Sequence, residues 1–143
     1  MNKKSLLITL VVAFVTIWIT DFLIHGVCLS STYAETKELW RPEAEMIKKM
    51  PFMLLGQFLV AAAFTMIFAG GVAEKRCISY SLKFSACMGV MVAAGQIIMY
   101  AVQPLPGSLI VKWCIAYIAQ TLVLGLIVHK VYRPLPKQDA SAA

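Results

Sequence analysis

Four apolar runs, each about as long as a bilayer crossing, constrain this chain more than any other feature. They cover residues 5–27, 51–72, 84–102 and 108–132, and about 20 apolar residues in a helix span the hydrocarbon layer of a membrane. The chain has 143 residues, of which 60% are hydrophobic and 14% charged, well below the roughly 25% charge of soluble domains. The expected fold is therefore all-α: a polytopic membrane protein, residues 1–143 forming one four-transmembrane-helix bundle with no separate soluble domain.

The first run follows Asn2-Lys3-Lys4 and could pass for a secretory signal. Its apolar stretch is longer than the ~7–15 residues of a signal core, and no A-x-A-like site follows. His25 and Val27 also stand where a lipoprotein site at Cys28 would need small residues. The run reads as an uncleaved span.

The one sizeable hydrophilic loop is residues 29–50, centred on Leu39-Trp40-Arg41-Pro42-Glu43-Ala44-Glu45-Met46. Pro42 suits the first turn of a helix and disfavours helix at Arg41. Glu43 and Glu45 then lie near the positive end of that helix, and Lys48 and Lys49 near its negative end. A short interfacial helix over 42–50 is expected, with Trp40, Arg41 and Trp113 as interface anchors. Tyr33, Tyr100 and Tyr132 read as the rest of the aromatic belt, and Trp18 as a packing residue.

Orientation follows from the basic residues. With both termini inside, Lys3, Lys4, Lys75, Arg76, Lys83, Lys130, Arg133 and Lys137 face the cytoplasm, against Lys37, Arg41, Lys48, Lys49 and Lys112 outside. That imbalance favours N-in and C-in. The net charge of +6 is spread over ends and loops, which marks membrane-surface topology and no nucleic-acid partner. The halves show no internal repeat. Small residues Ala86, Gly89, Ala93 and Ala94 make one run suited to close helix approach, within the bundle or against a neighbour.

Asp21, His25 and Cys28 have i, i+4, i+7 spacing, which places them on one face of an α-helix. Ionisable groups within a span face a partner or a water-filled space. Gln57, Gln96 and Lys112 fall at comparable depth, so an outer polar cluster of Asp21, His25, Gln57, Gln96 and Lys112 is expected, with Gln120 deeper. Three uses compete. The first is structural, with Asp21 pairing with Lys112 or His25 and the glutamines bonding between helices. The second is a solute, ion or proton pathway. The third is a metal site of Asp21, His25 and Cys28 for zinc, or for copper with Met46, Met50 or Met53; no cofactor is otherwise expected. His129 reads as an interface residue. The cysteines Cys28, Cys77, Cys87 and Cys114 form no C-x-x-C pair, and a Cys28–Cys114 disulfide stays open. No phosphate loop, nucleophile elbow or H-E-x-x-H motif occurs, so a non-catalytic role is expected.

At Asp21-Phe22-Leu23-Ile24-His25-Gly26-Val27, with Tyr33, Trp40-Arg41-Pro42-Glu43, Met46 and the turn Gln103-Pro104-Leu105-Pro106, the chain resembles a group of small uncharacterised four-span bacterial inner-membrane proteins. The resemblance implies that location and brings no activity. Besides the lipid bilayer, the expected partner is a membrane protein or a second copy. The leading expectation is an accessory or scaffold subunit of a larger membrane complex; the alternative is a small transporter or metal-handling protein using the outer cluster.

Overall fold

The computed structural model describes residues 1–75 and 77–135, so Arg76 and Lys137 of the charge count lie outside the described residues. Helix α1 spans Lys3–Asp21 and runs on as a π-helix over Phe22–Cys28. A short helix α2, Ser30–Glu35, and a 3-10 turn, Lys37–Leu39, follow. Helix α3 covers Glu43–Ile67 and is extended by a π segment, Phe68–Val72, and a 3-10 turn, Ala73–Lys75. Helices α4, Ile78–Val102, and α5, Gly107–Val131, complete the order. Among the described residues, four helices of 26, 33, 25 and 25 residues, counting their extensions, are long and apolar enough to cross a membrane.

The helix ends follow local chemistry. Asn2 Oδ1 accepts the Ser5 amide at 3.2 Å and caps α1, satisfying one of the donors every helix start leaves free. Pro106 is extended and precedes α5, and Gln103 before Pro104 is extended as well, as the ring of a following proline demands. Within the helices, Thr9, Thr16, Thr20, Ser85 and Thr121 each donate to a carbonyl one turn back, so these hydroxyls need no outside partner.

One boundary differs from the sequence reading. The short helix expected over 42–50 is not a separate element, because α3 begins at Glu43 and runs through Pro51 without a break. Proline at this position lacks one amide donor, yet the helix carries on through it into the apolar run that follows. Arg41 and Glu45, four residues apart in the chain, lie 3.6 Å apart and well exposed.

Packing runs along rows of every fourth residue. In α1 the buried row is Ser5, Thr9, Ala13 and Ile17, and in α4 it is Ser81, Ser85, Gly89 and Ala93. The α4 row consists only of small residues, so α4 and α5 approach closely and share the most extensive interface of the bundle. Helix α1 packs against both α3 and α5. At the end that holds the start of α1 and the end of α5, Phe84 of α4 meets Phe64 and Phe68 of α3 with ring centroids 4.9 and 6.1 Å away. There too the Arg133 amide donates to Ser5 Oγ at 2.7 Å, and Ser81 Oγ lies 2.8 Å from His129 Nδ1.

Glycine is required at two places in the α4–α5 contact. A Cβ on Gly125 would run into the Ser85 side chain, and one on Gly89 would meet Thr121 Oγ1 and the Ile118 backbone, whereas Gly95 has open space. Gly125→Ala and Gly89→Ala are therefore expected to destabilise the fold by about 1–3 kcal/mol through overpacking. Gly95→Ala is neutral or stabilising by up to about 1 kcal/mol, alanine being the better helix former. Thermal unfolding in detergent, read by circular dichroism, separates the three variants.

Candidate functional site

The buried row of α1 continues in steps of four from Ile17 to Asp21 and His25, which aims both polar side chains at the neighbouring helices. Asp21 Oδ2 accepts from Gln57 Nε2 of α3 at 2.6 Å, and Oδ1 accepts from Gln120 Nε2 of α5 at 2.7 Å. Gln120 Nε2 also donates to Thr20 Oγ1 at 2.7 Å. One carboxylate thus joins three helices, and hydrogen bonds to a charged group contribute about 1.5–3 kcal/mol each. Both glutamines are over nine-tenths buried, Gln57 at 8% and Gln120 at 9% exposure. Gln57 Oε1 is buried with no hydrogen-bond partner, and a buried acceptor left unpaired costs about 1–3 kcal/mol.

The first connection is stapled over this network by aromatic groups. The Tyr33 hydroxyl accepts from Trp113 Nε1 at 2.8 Å and lies 2.6 Å from His25 Nδ1. An indole N–H can only donate, so the phenol proton is free to go to His25 Nδ1, which leaves the imidazole proton on Nε2. The Tyr117 hydroxyl sits 3.5 Å from that nitrogen. Tyr33 also meets Trp40 edge-on at 5.3 Å, and Trp40 lies 6.2 Å from Trp113. Burial raises the Tyr33 phenol above its ordinary value of 10.0, the Trp113 hydrogen bond opposes this, and the Asp21 charge adds to it.

Between this staple, α1, α5 and the first turns of α3 lies an open cavity of about 1160 Å³. Ligand pockets commonly measure about 300–1,000 Å³, so there is room for a sizeable molecule. Asp21, His25 and Gln57 line it, together with Tyr33, Trp40, Trp113 and Tyr117. Phe22, Met46, Met50 and Met53 add an apolar wall.

The structure brings some of the expected cluster together and leaves the rest apart. Asp21, His25 and Gln57 share the cavity. Lys112 does not pair with Asp21; its Nζ donates to Thr32 Oγ1 at 2.8 Å. The reason is depth, since Gln120, at the level of Asp21, lies about 12 Å along α5 from Lys112 at the rise of an α-helix. Gln96 is half-buried on α4 and outside the cavity lining. Cys28 is exposed and also outside the lining. The π-helix over Phe22–Cys28 explains this. Its i→i+5 bonds, such as Leu29 N to Ile24 O at 2.9 Å, place more residues in each turn, so a spacing of seven no longer returns to the same face. Among the described residues, no group of three or more His, Cys, Asp or Glu side chains is placed to hold a metal ion. Cys28 and Cys114 are free thiols, and Cys114 Sγ approaches the Ala93 carbonyl at 3.7 Å.

Sequence reasoning left Tyr33, Tyr117 and Gln120 out of the site. The missed signal is the i, i+4, i+7 series Trp113, Tyr117, Gln120, which marks one face of α5 as polar and aromatic.

Tyr33→Phe removes the group that serves both Trp113 and His25, and is expected to lower stability by about 1–3 kcal/mol. Because the folded phenol titrates above its unfolded value, its share of stability is full below pH 10.0 and is lost as pH rises through the folded value. Alkaline unfolding curves of wild type and Tyr33→Phe should therefore converge above that range. No family model, no curated protein and no solved structure matches this chain.

Proposed function

We propose that this chain is a non-catalytic, membrane-embedded binding protein of the transport or solute-handling class, with the Asp21 cavity as its ligand site. The observation that carries the reading is a carboxylate at the floor of a large open cavity whose walls are mostly aromatic and apolar. Concave, largely apolar sites with a few convergent polar groups are where small ligands bind. The accessory-subunit expectation relied on the small-residue face of α4. Part of that face packs within the bundle, with Gly89 against Ile118 and Thr121 and Ser85 against Gly125 of α5, while Ala94 stays exposed and open to a neighbour.

The proposed setting is a bacterial inner membrane, crossed four times, with both termini in the cytoplasm. The resemblance to small four-span bacterial proteins supports the membrane, and the basic-residue count supports the direction. The start of α1 and the end of α5 lie at one end of the bundle, tied by Arg133 and Ser5, while Lys37, Arg41 and Lys112 lie towards the other. The cavity then opens on the outer half.

Two measurements test these statements. Cys77 is exposed beyond the end of α3, and hydrogen bonds from Ser79 lower its thiol below the ordinary value. An impermeant maleimide applied to intact spheroplasts is expected to label Cys28 and to reach Cys77 only after permeabilisation. The reverse pattern overturns the orientation. In native mass spectra of the gently extracted protein, a small-molecule adduct is expected on wild type and weakened on Met50→Trp, which narrows the cavity at its apolar wall. Reproducible co-purification with a larger complex, and no adduct, would return the accessory-subunit reading.

A further inference from the structure

Resting on the reading of the cavity as a ligand site, we infer that its ligand is an amphipathic monocation with N–H donors, a protonated amine on an apolar body. The head binds at Asp21 and Gln57, and the body lies along Met46, Met50 and Met53.

Charge gives the first argument. Ionisable side chains lining the cavity are Asp21, Glu38 and Glu43 against Lys37 and Arg41, three acids less two bases, a net −1 with His25 neutral. The whole chain is +6, so the cavity is an anionic site in a cationic protein. Among the described residues the ion pair found is Arg41–Glu45. Asp21 has amide donors on both oxygens and no basic side chain within ion-pairing distance. Each carboxylate oxygen keeps a further acceptor position, and a cation beside it replaces the missing countercharge.

Aromatic chemistry gives the second. Tyr33, Trp40, Trp113 and Tyr117 stand in one cluster with His25 on the cavity wall. Ring faces attract cations, and indole does so best. An anionic ligand would meet the Asp21 carboxylate in a cavity whose two bases, Lys37 and Arg41, are outnumbered by three acids.

The third argument is the unpartnered Gln57 Oε1, on a side chain more than nine-tenths buried and lining the cavity. The oxygen is shielded in the free protein, and a small turn of the Gln57 amide would present it beside the carboxylate to a ligand that donates hydrogen bonds, which an ammonium with N–H groups does and a quaternary ammonium does not. The methionine wall adapts to apolar bodies of different shape.

All three tryptophans of the chain, Trp18, Trp40 and Trp113, line this cavity, so their fluorescence reports its occupancy. The test is a titration of the full-length protein, in nanodiscs of phosphatidylcholine, with four ten-carbon probes: decylammonium, decyltrimethylammonium, decanol and decanoate. Decylammonium is expected to give a saturable change, with decanol and decanoate weaker by about ten-fold or more, as loss of a charge-assisted bond implies. Decyltrimethylammonium should fall between them. Asp21→Asn should lose the preference for the cation, and Asp21→Glu should keep it. The comparison among probes on wild type stands even if Asp21→Asn fails to fold. Saturable binding of all four probes with equal affinity would overturn the inference while leaving the cavity a ligand site. No saturable response to any probe would overturn both.

Discussion

One carboxylate holds α1, α3 and α5 together at the loop end of the bundle, and the arrangement of the polar groups there follows from it. Asp21 sits on the buried row of α1, so it must find donors on the helices either side. It finds two amides, Gln57 and Gln120, and not an ammonium. Amides satisfy the hydrogen-bonding needs of a carboxylate without neutralising it. Had Lys112 reached Asp21, the pair would have been a closed structural contact of the sort that costs desolvation and recovers it internally. With amides, the charge is positioned and has no basic partner within ion-pairing distance.

The rest of the bundle supplies the rigidity this requires. Helices α4 and α5 meet through glycines and serines that allow no added atom at Gly89 or Gly125, and such close contact gives van der Waals packing along their length. Helix α5 is thereby fixed, and with it Trp113, Tyr117 and Gln120. The aromatic staple then fixes the first connection to α5 through the Tyr33 hydroxyl. Helix α3 is held at its far end by Phe64, Phe68 and Phe84, and its first turns, from Glu43 to Met53, are mostly exposed. The cavity lies where α3 leaves its neighbours.

The helices were legible in the sequence because apolar runs of bilayer length have few other uses. That Asp21 and His25 share one face was legible from a four-residue spacing that survives both α and π geometry well enough, and Gln57 from its depth. Cys28 and Lys112 were misplaced for physical reasons. A π-helix has no plain compositional mark, and it turned Cys28 off the face that α-helical spacing assigns. Lys112 was matched by rough depth alone, while eight residues of helix separate it from Gln120. Residue 51 was expected to open a new span after a separate short helix, yet the missing amide at Pro51 is tolerated within one continuous α3.

The π-helix also matters for what the site can do. It begins at Phe22, directly after Asp21, and ends at Cys28, so the residue that carries the charge is the last of regular α-helix. Widening the turn there displaces Phe22 and Gly26 onto the cavity wall beside His25, where an unbroken α-helix would continue the tight four-residue row of α1. Gly26 keeps that wall open: a Cβ there would press on the Phe22 ring at 3.3 Å. π-segments often occur at functional sites because they exchange ideal helix bonding for a local change of direction. Here the change of direction comes one residue after the carboxylate, so the charge is held by regular helix and the room beside it is made by the irregular turn that follows.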